Sequence, residues 1–101
     1  MSFDDMPDRG LLTEPGAQDF VDRALARSRK VVATSRTLLD VPYGKDYYQK
    51  IDIFLPADKG LNAVPVLLFI HGGGWQHGFK EWMGFIAPAF LDLPAIFVAV
   101  N

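Results

Sequence analysis

The rhythm of apolar and polar positions divides this chain into segments of distinct character. Residues 1–15 mix Asp, Pro and Gly with isolated apolar residues and read as an arm that orders only where something holds it. Between residue 16 and about residue 33, Phe20, Val21, Ala24, Leu25, Val31 and Val32 fall on one side of a period of about 3.6 residues. That spacing predicts an amphipathic helix. Asp19, Asp22, Arg23, Arg27 and Lys30 occupy its other side as a solvated face, with Asp19 and Arg23 spaced for a helical ion pair.

Residues 37–41 and 50–55 predict two short strands, joined by Pro42-Tyr43-Gly44-Lys45-Asp46, whose Pro, Gly and Asp favour a turn. The second strand alternates, with Ile51, Ile53 and Leu55 on one face and Asp52 and Phe54 on the other. This pattern suits a half-covered antiparallel edge. Pro56 ends it, and residues 57–63 form a polar connection. Residues 64–70 differ, because Val66, Leu67, Leu68, Phe69 and Ile70 are apolar without alternation, as in a strand buried on both faces of a parallel sheet. Residues 95–100 repeat that signature. Between them Trp82, Phe85, Ile86, Ala89, Phe90 and Leu93 recur at helical spacing, giving one strand, helix, strand crossover. Pro88 sits inside that helix and predicts a kink or two short helices, the second beginning near Ala87 with Pro88 in its first turn.

A parallel sheet needs helices on both sides, and the pattern offers one crossover helix besides the N-terminal one. Asn101 follows directly on a strand that should be central, with no helix to cover it and no charge or proline to blunt it as an edge. The chain therefore reads as the N-terminal part of a larger α/β domain, residues 1–35 being an arm and helix and 36–101 belonging to the core.

Composition narrows the class. The 101 residues carry Lys+Arg 10 against Asp+Glu 12, a net charge of -2, which provides no long-range attraction for phosphate backbones. Arg23, Arg27, Arg29 and Lys30 are offset by Asp19 and Asp22, so a nucleic-acid partner is not expected. Residues 1–8 hold three aspartates and lack the basic and apolar regions of a secretory signal. No apolar run approaches the roughly 18 residues that a membrane span requires. With Cys 0, disulfides, thiolate metal sites and cysteine nucleophiles are excluded. The expectation is a soluble, cytoplasmic chain, with homo-oligomerisation left open.

The candidate chemistry lies in Ile70-His71-Gly72-Gly73-Gly74-Trp75, three glycines directly after an apolar strand. Glycines permit backbone conformations and close approaches that a Cβ forbids. A chain leaving the carboxyl end of a parallel strand enters the crevice where α/β proteins bind ligands. Freed N–H groups there suit an anion. One use is an oxyanion hole, with main-chain donors fixed where negative charge develops during acyl transfer. Another is a dinucleotide cradle, but Gly72, Gly74 and Gly78 leave the second gap of that fingerprint one residue too long. Trp75 crowds the approach, and Asn101 stands where a ribose-binding carboxylate would be. His71 and His77, without a carboxylate at ligand spacing, do not suggest a metal.

His71-Gly72-Gly73-Gly74-Trp75 after the strand resembles the HGGG-type motif of the α/β-hydrolase superfamily, in the branch of hormone-sensitive-lipase-like esterases and arylformamidases. Leu39-Asp40-Val41-Pro42-Tyr43-Gly44 and Gln49-Lys50-Ile51-Asp52-Ile53-Phe54-Leu55-Pro56 resemble the paired strands that precede the motif. Phe85-Ile86-Ala87-Pro88-Ala89-Phe90 and Val98-Ala99-Val100-Asn101 resemble the helix and strand that follow, and lean towards the arylformamidase-like group. The resemblance implies a mixed, mostly parallel sheet flanked by helices. It also implies a serine hydrolase that cleaves small-molecule carboxylic esters or N-aryl formamides through an acyl-enzyme, without a cofactor. Gly73 and Gly74 would be the oxyanion donors, with Trp75 as an alternative donor, Gly72 as the turn and His71 as a ring that holds the loop. An N-terminal segment that helps cap the active site is a further implication.

The chain departs from the family in lacking a G-x-S-x-G elbow, since its only serines are Ser2, Ser28 and Ser35, none flanked by glycines and all before the loop. Nucleophile and triad are therefore not assignable here. These 101 residues alone are expected to be inactive, and a truncated, non-catalytic fragment is the alternative reading.

Overall fold

The computed structural model describes residues 12–57, 63–73 and 78–101. Helix α1 (Ala17–Thr34) begins after Gly16, which adopts a left-handed conformation with φ 78, and an Arg23–Asp19 ion pair at 3.2 Å spans one turn of its exposed side. Strands β1 (Arg36–Pro42), β2 (Lys50–Leu55), β3 (Val66–Ile70) and β4 (Ile96–Val100) form one sheet in the order β1-β2-β4-β3. The first two pairings are antiparallel, whereas β3 and β4 run parallel.

The crossover between β3 and β4 is not one helix. It consists of two 3-10 turns, Lys80–Trp82 and Gly84–Ile86, and a short helix α2 (Pro88–Leu91) with Pro88 in its first turn. This follows the proline rule: at the start of a helix the missing N–H costs nothing, whereas in the interior it would break the ladder. The turns pack between α1 and the sheet. Gly84 makes that closeness available, because a Cβ there would lie 3.0 Å from Phe54 Cζ and 3.3 Å from Ser28 Cβ.

The core lies between the crossover and one face of the sheet. Phe97 is fully buried, and the rings of Phe54, Phe90 and Phe69 surround it at centroid distances of 5.8, 5.9 and 6.1 Å. Val31 and Val32 of α1 close the cluster from the side. At the expected helix stripe, Val21 and Ala24 are buried, but Phe20 is 53% exposed. Ser28 takes the next inward place, one turn beyond Ala24.

Two expectations about the strands are corrected, the edge and the cover of β3, and the inward face of β2, which the alternation left open, is fixed. First, β2 is an interior strand between β1 and β4, so the edge is β1. Secondly, the better-buried face of β2 is the one bearing Asp52 and Phe54, because these look towards the crossover, while Ile51, Ile53 and Leu55 face the other side and are only half-buried. Thirdly, β3 is covered on one face only. Its Leu67 and Phe69 pack on the core, whereas Val66, Leu68 and Ile70 are exposed, and β3 is itself an edge of the described sheet. Of the parallel pair, β4 is the interior strand, with Phe97, Val98 and Ala99 all buried. No helix among the described residues is long and apolar enough to cross a membrane.

Candidate functional site

The register of β3 against β4 pairs Ile70 with Val100, so His71 and Asn101 leave the sheet side by side at the carboxyl ends of the two parallel strands. The amino end of β2 and the β1–β2 turn reach the same rim, since Ile51 pairs with Val100 and Pro42 with Lys50. Asn101 ties the rim together. Its N–H donates to Lys50 O at 3.1 Å, its carbonyl accepts from the Tyr43 hydroxyl at 2.7 Å, and its Oδ1 accepts from the Lys80 backbone N–H at 3.1 Å. With that side chain already engaged in the scaffold, nothing here favours the dinucleotide cradle.

The glycine loop opens on this rim. Gly72 and Gly73 are exposed, and Gly73 has φ 125, in the left-handed half of backbone space where a side chain would be strained. His71 is half-buried, and its Nδ1–H donates to Gly72 O at 2.7 Å, which leaves Nε2 without that proton in the neutral ring. Gly74, Trp75 and His77 lie outside the described residues. The returning end is described from Gly78 onwards, and it touches the outgoing end. A Cβ on Gly78, whose φ is +100, would stand 2.5 Å from His71 Nδ1 and 2.7 Å from Gly72 O. The segment from His71 to Gly78 is thus pinched shut at its base.

Below the pinch is a buried charged cluster. Lys80 Nζ donates to Asp40 Oδ1, Asp52 Oδ1 and Glu81 Oε1, each at 2.7 Å, while Lys80, Glu81 and Asp52 are 1%, 1% and 2% exposed. An ammonium has three protons and here finds three carboxylates. The bulge in β1 supplies the first of them. The register slips between Leu38 and Val41, Asp40 takes φ 56, and its N–H donates to Asp52 Oδ1 at 2.9 Å. Glu81 Oε2 has no hydrogen-bond partner among the described residues. Burial pushes the Asp52 and Glu81 carboxyls above their ordinary range, against the opposing pull of Lys80. For Lys80, burial would lower the pKa, but the bonds to the three carboxylates outweigh it and the net shift is upward.

Sequence reasoning did not find this cluster. The signal available was Lys80-Glu81 flanked by the apolar Phe79 and Trp82, two adjacent charges where the crossover should be turning inwards. Asp40 and Asp52 lay in the two strands without a stated role.

Ser28 and Ser35 lie elsewhere, and Ser2 is outside the described residues. Ser28 is fully buried and its Oγ accepts from Phe85 N–H at 3.0 Å, while Ser35 joins α1 to β1 at the other end of the sheet. Ser35 lines a cleft of about 430 Å³ with Thr34, Arg36, Leu55, Pro88 and Leu91, and no histidine among the described residues lines that cleft. Among the described residues no group of His, Asp and Glu could hold a metal ion.

No protein-family model matches the chain. It is 39% identical over 75 residues to the kynurenine formamidase of Danio rerio, which covers 74% of this chain and 24% of the relative. A kynurenine formamidase of Salmo salar is 39% identical over 67 residues, 66% of this chain and 22% of that protein. Esterase LipC of Mycobacterium tuberculosis is 36% identical over 59 residues, 58% of this chain and 14% of its own length. Among solved structures, a provisionally assigned thioesterase from Silicibacter sp. tm1040 superposes with a TM-score of 0.74 at 25% identity, covering 88% of this chain and 34% of that one. The chain spans about a quarter of the length of the formamidases it matches.

Proposed function

We propose, starting from the chain's place in the esterase and arylformamidase-like branch of the α/β-hydrolases, that it supplies the oxyanion half of a serine hydrolase active site. The relatives are hydrolases of esters or formamides. The finer reading is a carboxylesterase or arylformamidase that works through an acyl-enzyme on a small ester or aryl formamide.

The observation that supports it most is the glycine loop at the carboxyl end of β3, beside the carboxyl end of β4, with Gly73 at positive φ and its main chain exposed. In this reading a serine hydroxyl from outside these residues attacks the substrate carbonyl as its proton passes to a base that also lies outside them. The carbon becomes tetrahedral and its oxygen takes the negative charge. The N–H groups of Gly73 and Gly74 donate to that oxygen, and more strongly than to the neutral carbonyl, so they lower the barrier rather than only tightening binding. His71 serves the loop through its ring, not the proton transfer. Residues 1–35 are read as an arm and cap element, and 36–101 as core.

The test is Gly73→Val or Gly74→Val in the intact enzyme, assayed on an activated aryl ester and an N-aryl formamide. Each is expected to lower kcat by roughly 10²–10³ with a much smaller change in KM, the size of one lost oxyanion donor. Full activity in both variants would exclude the loop from the chemistry, and loss of turnover in Ser28→Ala or Ser35→Ala would refute an external nucleophile.

A further inference from the structure

We propose that Lys80 is a positioning residue for the glycine loop, its ammonium fixing where the loop returns to the sheet beside His71 and Gly72. The proposal rests on the oxyanion reading of that loop.

The two ends of the loop are held by different means. The outgoing end needs no special device, because β3 is paired with β4 as far as Ile70. The returning end has no strand ladder. Gly78 sits against the outgoing end, Phe79 is buried with its ring 5.5 Å from that of Trp82, and Lys80 follows. Residue 80 is then fastened to separate parts of the fold at once. Its side chain bonds to the β1 bulge through Asp40, to β2 through Asp52 and to its own turn through Glu81, while its N–H bonds to Asn101 at the end of β4.

A cluster built only for stability would be hard to account for. One ammonium against three carboxylates is formally two negative charges in excess, Glu81 Oε2 is left without a partner among the described residues, and apolar residues of similar volume commonly serve stability as well or better. What an ammonium does that an apolar side chain cannot is hold three elements at fixed angles and distances. Main-chain donors must be held to within about 0.5 Å to act on a developing charge, and the returning end of the loop sets where those donors point.

The experiment replaces the cluster by neutral groups of similar shape, so that no fully buried charge is left unpaired: Lys80→Met with Asp52→Asn and Glu81→Gln, in the intact enzyme. Amide hydrogen exchange is read in residues 72–79 and, separately, in β2 and β4. The expected result is at least about a tenfold rise in exchange confined to the loop. With it, kcat should fall about tenfold or more while KM stays within about threefold. Glu81→Gln alone keeps an acceptor for Lys80 and should leave both readouts near those of the unaltered protein. Unchanged loop exchange and kcat in the triple variant would overturn the proposal. So would exchange that rises equally in loop and sheet, or a single Glu81→Gln change as damaging as all three. If Gly73→Val leaves hydrolysis intact, the oxyanion reading falls, whereas the exchange measurement still decides whether Lys80 anchors the loop.

Discussion

In the loop after β3, His71 is half-buried and Gly72 and Gly73 are exposed, and in the proposed function the loop acts through main-chain N–H groups. In the turn to which it returns, Lys80 and Glu81 are 1% exposed, and charged side chains make most of its bonds to β1 and β2, with the Lys80 N–H bonding Asn101. The loop achieves its shape by omitting side chains. The cluster buries the most strongly solvated ones, at a desolvation cost that only close partners offset. The difference teaches that chemistry done by backbone needs a scaffold done by side chains, because peptide groups in an open loop cannot hold themselves in place.

The first way to sharpen that comparison uses two glycines of the same loop. At Gly72 an added Cβ would meet nothing within 4 Å, whereas at Gly78 it would strike His71 and Gly72 with φ at +100. Gly78→Ala should therefore cost about 1–3 kcal/mol in urea unfolding and displace the His71 ring, while Gly72→Ala stays within about 0.5 kcal/mol. Equal effects at the two positions would mean that the pinch at the loop's base does not hold the loop.

The contrast also explains what could be read from the chain. The glycines after Val66–Ile70 mark the loop at the end of β3, and the structure has Gly72 and Gly73 exposed there, with Gly73 at φ 125. Pro88 was legible because a pyrrolidine ring has one good place in a helix, the first turn, and the structure puts it there. The faces of β2 were not. Alternation announces two faces but not which one looks inwards, and the structure gives the better-buried face to Asp52 and Phe54. The cover of β3 was misjudged for a related reason, since an unbroken apolar run reports what a strand can be packed against, not what lies over it in these residues. The charged cluster was the least legible. Asp40, Asp52 and Lys80 are far apart in the chain, each is unremarkable alone, and only the β1 bulge and the β2 register bring them onto one nitrogen.

A second and smaller effect concerns a scaffold residue outside the cluster. Ser28 is fully buried and its Oγ is the acceptor for Phe85 N–H. Ser28→Ala removes that acceptor and strands a partly buried donor, so a loss of about 1–2 kcal/mol is expected in thermal or urea unfolding. Turnover per folded molecule should not change, because the residue bears on the packing of α1 against the second 3-10 turn and not on the rim. A stability within experimental error of the parent would show that water replaces the hydroxyl there.

The smallest effect is a slope with pH, and it belongs to the cluster alone. The titratable groups that meet there are Asp40 from β1, Asp52 from β2, and Lys80 and Glu81 from the first turn, with the neutral Asn101 beside them. Burial raises the carboxyl pKa values of Asp52 and Glu81 above their unfolded ones. The folded state therefore binds more protons than the unfolded state in the interval between the two values. Their contribution to stability is complete below the unfolded value, near 4, and is lost as pH rises through the folded one. Lys80 is also shifted upward, so its contribution persists below about 10.4 and fades only in alkali, outside that interval. Unfolding free energy should accordingly decline as pH rises from about 4 through the raised folded values, once the exposed carboxylates are accounted for by a reference variant at Asp19. Glu81→Gln removes one titrating group while its amide oxygen continues to accept from Lys80, and the decline should become shallower, with the variant gaining on the parent most at neutral pH. A slope unchanged by Glu81→Gln would place the proton taken up on folding elsewhere, and the excess negative charge of the cluster would then be borne as it stands.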